Sequence, residues 1–97
     1  MTIEKITEGA ILTVRPGGRM DTITAPEVDK ALKDVPEAIT SLVLDMEKVE
    51  YISSSGLRVL LAAKKNYPGK DYKLINVHPD VMTILEMTGF TGLLKIE

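Results

Sequence analysis

The sequence predicts an α/β fold: a small mixed β-sheet in the order β-β-α-β-α-β-α-β, with an N-terminal antiparallel hairpin, then parallel strands with helices mainly on one face. Three observations carry that prediction. Short runs of β-branched and aliphatic residues alternate with segments whose apolar residues recur at helical spacing, the pattern of strands joined by crossover helices. Glu8-Gly9 joins the first two runs by a turn tight enough to require antiparallel pairing. The chain has 97 residues, 44% of them apolar, which is material for one core, so a single domain over residues 1–97 is expected.

Ile3 to Thr7 reads as the first strand. Ala10 to Arg15 then alternates, with Leu12 and Val14 on one face and Ile11, Thr13 and Arg15 on the other; Pro16-Gly17-Gly18 is expected to end it. Thr24-Ala25-Pro26-Glu27 reads as a capping box, in which Thr24 caps, Glu27 reaches back, and Pro26 sits in the tolerant first turn. Val28, Ala31, Leu32 and Val35 place a helix from about Ala25 to Asp34. Ser41-Leu42-Val43-Leu44-Asp45 is a strand apolar on both faces that ends in an acid. Ser53 or Ser54 caps a second helix with Leu57, Leu60 and Leu61 on its inner stripe, and Tyr67-Pro68-Gly69 stops it. Lys73 to Val77 is the next strand. Pro79 opens a third helix carrying Val81, Met82, Ile84 and Leu85, and Gly89 suits its left-handed cap. Leu93 to Ile96 is expected to close the sheet. Parallel crossovers are right-handed almost without exception, so strands added in one direction collect their helices on one face.

Composition excludes several kinds of function. No cysteine is present, which removes disulfides, thiolate nucleophiles and cysteine-ligated metals. The single histidine, His78, has no carboxylate cluster beside it; it is expected to cap the third helix or face solvent, and neither metal nor cofactor is expected. A net charge of −2 does not supply the basic face of a nucleic-acid binder, and Tyr51, Tyr67, Tyr72 and Phe90 do not make a base-stacking platform. The longest apolar run, Leu57 to Ala63 broken by Arg58, is far short of a membrane span, and Met1-Thr2-Ile3-Glu4-Lys5 has no signal-peptide core. A cytoplasmic monomer without membrane insertion is therefore expected. Enzyme chemistry lacks its parts as well. There is no Gly-x-Ser-x-Gly elbow and no histidine to spare as a base, and Pro16-Gly17-Gly18 lacks the length and lysine of a phosphate loop. Asp45 would be the acceptor of a response regulator, but the acidic pair after the first strand that would hold magnesium is missing. No catalytic residue is expected.

The unusual segment runs from Asp45 to Arg58, with Ser53-Ser54-Ser55-Gly56 where loop becomes helix. A helix N-terminus presents free N–H groups and about half a positive charge, so a phosphate on a cap or first-turn serine finds donors there while adding roughly −1.5 to −2 charge. Gly56 is expected to leave the surface open for the backbone of another protein. The structural alternative is that the serines only cap the helix, which serine does well. Arg58 is either a partner contact or a solvated cation. Lys64-Lys65 suit the negative helix end, Met82 and Met87 read as core, and Asp80 and Glu86 as solvent-facing acids.

Val49-Glu50-Tyr51-Ile52-Ser53-Ser54-Ser55-Gly56-Leu57-Arg58-Val59-Leu60 resembles the central motif of STAS domains, and more closely that of the bacterial anti-sigma factor antagonists. There the motif reads approximately Asp-Ser-Ser/Thr-Gly-Leu after a strand ending in Asp, as Leu42-Val43-Leu44-Asp45 does. Gly18-Arg19-Met20-Asp21 is similar to the family's Gly-x-Leu-Asp segment, and Val81 to Phe90 resembles its closing helix and turn. The resemblance covers nearly the whole chain in order.

By position, the resemblance implies phosphorylation at Ser54, a second hydroxyl at Ser55, and an acid on the neighbouring loop at Asp21. Ser53 stands where the motif has aspartate, which leaves Ser53 and Ser55 as alternative acceptors. Asp21, Ser53, Ser55, Gly56 and Arg58 would be phosphosite neighbours and partner contacts. The implied function is partner switching in transcription regulation. The unmodified domain binds an anti-sigma factor, a serine kinase of the histidine-kinase-like ATPase fold; phosphorylation releases it, and a serine phosphatase resets the switch. The alternative is a non-phosphorylated STAS accessory subunit of a lipid-transport ATPase or a signalling scaffold.

Overall fold

A computed structural model describes residues 1–97. Its elements are β1 (Thr2–Glu8), β2 (Ile11–Met20), α1 (Ala25–Lys33), β3 (Ser41–Asp45), β4 (Lys48–Ile52), α2 (Ser54–Asn66), β5 (Asp71–Ile75) and α3 (Pro79–Met87), followed by a 3₁₀ turn at Phe90–Gly92. The sheet is mixed, as the residue pattern predicts: β1 pairs antiparallel with β2, and every other pairing is parallel. Leu12 and Val14 are buried while Ile11 is exposed and Thr13 and Arg15 are half-buried, which is the expected alternation. The core is a single cluster that joins these strand residues to Val28 and Leu32 of α1, Leu57 and Leu60 of α2, and Val81 and Leu85 of α3.

β2 organises the sheet, and it differs from expectation in running through Pro16-Gly17-Gly18 to Met20. It changes partner on the way. Ile11 to Val14 pair with β3, and Gly17 to Met20 pair with β4. Pro16 falls between the two parallel ladders, so its missing N–H interrupts neither. Gly18 takes φ 109, a conformation side chains disfavour, beside the one register shift in the ladder.

β4 was not anticipated. It continues the line of β3 after a jog at Met46-Glu47, and Gly18 pairs with Val49 while Arg19 pairs with Tyr51. Glu50 is thereby left without a partner, so Val49 and Ile52 are the buried pair and no alternation is visible in the residues.

Three other expectations shift. β5 begins and ends two residues early, because Asn76 adopts φ 56 and turns its amide onto Asp45. Leu93 to Ile96 is not a strand: after the 3₁₀ turn only Ile96 bridges to Leu74, although Leu94 is buried in the core. Met87 is 82% exposed rather than core, while Met82 packs against the cluster. On α2 the inner stripe is Leu57, Leu60 and Ala63, with Leu61 half-buried. Gly89 takes the expected left-handed cap at φ 78.

Asp45 is a structural acid. It is 3% exposed, and its carboxylate accepts bonds from Arg15 Nε, Asn76 Nδ2 and the Glu47 N–H, each at 3.1 Å. Burial raises its pKa, but those donors, Asn76 foremost, outweigh burial and hold the carboxyl below its ordinary value.

Candidate functional site

β2 and β4 lie side by side and end together, and their two exits build the site. β4 passes directly into α2, while β2 passes into the Asp21–Thr24 turn that opens α1. The Ser53 N–H donates to the Met20 carbonyl at 2.8 Å and ties the exits to each other. Gly56 then lets the first turn of α2 lie flush on the strand ends. A Cβ there would meet Ile52 Cγ1 at 2.8 Å, Met20 Cγ at 2.9 Å and the Met20 carbonyl oxygen at 3.0 Å. Gly56 is accordingly buried and faces the core, which corrects the expectation that it opens the surface to a partner.

The three serines have separate surroundings. Ser53 is the N-cap, extended at φ −95, and its hydroxyl accepts the Gly56 N–H at 3.3 Å. Ser55 Oγ lies 3.4 Å from Thr22 Oγ1 and draws the β2 exit against α2. Ser54, the first helical residue, is exposed, and its hydroxyl makes no hydrogen bond within the chain. Free N–H groups and the positive end of the helix dipole surround it.

Asp21 caps the turn that leads into α1, ahead of the helix itself. Its Oδ1 accepts the Ile23 and Thr24 N–H groups at 3.0 Å each, and Thr24 Oγ1 accepts the Asp21 N–H at 2.9 Å in return. Thr24 itself caps nothing, so the expected capping box does not form. The Thr24 N–H bond is the main cause that keeps the Asp21 carboxyl below its ordinary pKa. The site therefore holds a fixed anion on the turn that Thr22 fastens to α2.

Other residues complete the surface. Arg58 is exposed, one turn along from Ser54, and has no carboxylate partner. Ile23, in the turn between Asp21 and Thr24, is 84% exposed. The Arg19 guanidinium stacks 4.3 Å from the Tyr51 ring centroid, across the pairing of β2 with β4. Sequence reasoning missed these last three. Arg19 and Tyr51 meet only because β4 exists, and Ile23 sits outside any apolar period. His78 belongs elsewhere: its Nε2 bonds the Glu47 carbonyl, and its side chain does not cap α3. No helix is long and apolar enough to cross a membrane.

Comparison with known proteins places this geometry. The model of the STAS domain matches residues 2–97. An anti-sigma-B factor antagonist of Staphylococcus aureus is 26% identical over 99 residues, spanning 99% of this chain and 92% of its own. Among solved structures, an anti-sigma factor antagonist from Mycobacterium paratuberculosis superposes with a TM-score of 0.89 at 23% identity, covering 98% of this chain and 83% of that one. The anti-sigma factor antagonist SpoIIAA, in its unphosphorylated form, gives a TM-score of 0.73 at 16% identity, covering 99% and 88%. At these identities the structural likenesses establish the fold.

Proposed function

The chain belongs to the STAS domain family, and on that premise we propose that it is an anti-sigma factor antagonist whose partner is released by phosphorylation of Ser54. The observation that carries this reading is the inequality of the serines. Ser53 and Ser55 are half-buried and engaged, whereas Ser54 is exposed and unengaged at the helix N-terminus. A kinase can reach Ser54 without breaking any bond of the fold. Ser53 also accounts for the missing motif aspartate, since serine and aspartate are equally good N-caps.

In this reading the unmodified surface around Ser54, with Asp21, Ser55, Arg58 and the exposed Ile23, binds an anti-sigma factor that is a serine kinase of the histidine-kinase-like ATPase fold. Transfer of a phosphoryl group from ATP to the Ser54 hydroxyl puts a dianion on the surface that also carries the Asp21 turn, which Thr22 holds against α2, inside a closing interface. Like-charge repulsion and desolvation then weaken the complex. A hundredfold loss needs only about 2.7 kcal/mol. A phosphatase restores the hydroxyl. The protein works as a cytoplasmic monomer and performs no catalysis itself. The anti-sigma-B factor antagonist relatives support the partner class, and SpoIIAA, known in a phosphorylated form as well, supports the modification.

The test is capture from lysate of the native host with wild-type, Ser54→Ala and Ser54→Asp baits. An ATPase-fold kinase retained by the first two and lost by the third is the expected result. Equal retention by Ser54→Asp, or recovery of a permease or transport ATPase by all three baits, refutes the switch and favours the accessory-subunit reading.

A further inference from the structure

Half of the twelve basic side chains of this chain are paired with a carboxylate. Lys5, Arg15, Lys33, Lys48, Lys73 and Lys95 each pair with a carboxylate. Arg19, Lys30, Arg58, Lys64, Lys65 and Lys70 do not, and the last three line one cavity of about 550 Å³ beside the C-terminal half of α2 and the segment leading into β5. Lys64 Nζ donates to the Leu93 carbonyl, and Lys70 Nζ donates to the Glu37 and Ile39 carbonyls. Those partners are dipoles, which orient the ammonium groups and leave their charge uncompensated. Of the nearby acids, Asp71, which also lines the cavity, pairs with Lys95 at 3.6 Å, and Asp34, which bears on Tyr67, pairs with Lys5 at 3.6 Å. A chain of net charge −2 thus concentrates positive charge at one concave place. Leu61, Tyr67 and Leu93 give the same cavity apolar walls.

We propose that this cavity is a binding site for a small amphiphilic anion, an apolar body bearing a carboxylate, sulfonate or phosphate. The body lies on Leu61, Tyr67 and Leu93, and the anionic group meets Lys65 and the held ammonium of Lys64. The volume falls within the range of small-molecule clefts, about 300–1,000 Å³, and the cleft is open to solvent on one side. The site is toward the far end of α2 from Ser54, with Lys64 and Lys65 roughly 15–17 Å away along a helix rising about 1.5 Å per residue. It stands independently of the phosphorylation reading.

The probe is 8-anilinonaphthalene-1-sulfonate, titrated into the ¹⁵N-labelled full chain and followed by amide shifts. Saturable shifts confined to the region of Leu61 to Tyr72 and Leu93 are expected, with Kd raised about tenfold in Lys65→Glu, an exposed position whose side chain makes no hydrogen bond or ion pair. Ser54→Asp should leave the titration unchanged. Shifts mapping elsewhere, a Lys65→Glu effect under threefold, or equal binding of uncharged N-phenyl-1-naphthylamine would overturn the proposal. A glutamate-rich hexapeptide that displaces the dye at lower concentration than naphthalene carboxylate would overturn it too, in favour of a peptide partner.

Discussion

Alanine at position 56 adds one methyl group against Ile52, Met20 and the Met20 carbonyl, at 2.8, 2.9 and 3.0 Å. Neither side chain can swing away into solvent, since Met20 is 0% and Ile52 2% exposed. Overpacking of this kind costs about 1–3 kcal/mol. The better helix propensity of alanine returns up to about 1 kcal/mol, and less in a first turn. A net loss of about 1–2 kcal/mol remains, which for a domain of this size lowers Tm by roughly 4–15 °C. The cheapest relief tilts α2 off the strand ends and lengthens the Ser53 N–H bond to Met20, now 2.8 Å. Thermal unfolding by circular dichroism together with the Ser53 amide shift measures both effects. A Tm within about 2 °C of wild type with an unmoved Ser53 amide would refute the claim that Gly56 is there for close approach.

The neighbouring serines should separate in the same assay. Ser53→Ala removes the N-cap and costs about 1 kcal/mol, whereas Ser54→Ala stays within about 0.5 kcal/mol because its hydroxyl supports nothing; equal losses would contradict the assignment of cap and free hydroxyl. Asp21→Asn should keep Tm close to wild type, because asparagine caps as well as aspartate, while Asp21→Ala lowers it; identical Tm values for the two would show that the turn does not depend on this cap. Asp45, the buried one of the carboxyls held low in the fold, contributes to the acid limb. A carboxyl lowered in the fold contributes stability above its unfolded pKa and loses it as pH falls through the folded one, so the urea midpoint should drop on acidification below about pH 4. Asp45→Asn should flatten that limb and cost about 1.5–3 kcal/mol at neutral pH, and a variant with an unchanged acid slope would remove Asp45 as a contributor.

The sequence made the parts with strong local periods legible. β3 reads at its true bounds because Leu42 to Asp45 form an uninterrupted buried run after Ser41, and α2 reads through its cap and its leucines. Ser54 and Asp21 are legible through the motif, yet their physical roles are not. Around Thr24 the expected cap would accept from the first turn of α1, whereas the Asp21 carboxylate instead accepts two N–H groups of the turn ahead of it. β4 is hidden by its bulged Glu50, and with it the Arg19–Tyr51 stack. Gly56 misleads for a related reason: a glycine beside hydroxyls looks like an opening until the strand ends beneath it are known.

The change of partner along β2 also shapes how the chain finds its fold. The β1–β2 hairpin is local and can form early, whereas both parallel ladders join residues about thirty apart in sequence. Because β3 and β4 are consecutive on one line, a single loop closure aligns both. The entropic cost of that closure is met once, and it grows slowly, by about 0.6 kcal/mol for a doubling of the loop. Lengthening the Asp34–Thr40 connection should therefore slow folding only slightly. Weakened pairing at Thr13 with Val43 and at Arg19 with Tyr51 should slow it in concert, with φ-values that rise and fall together.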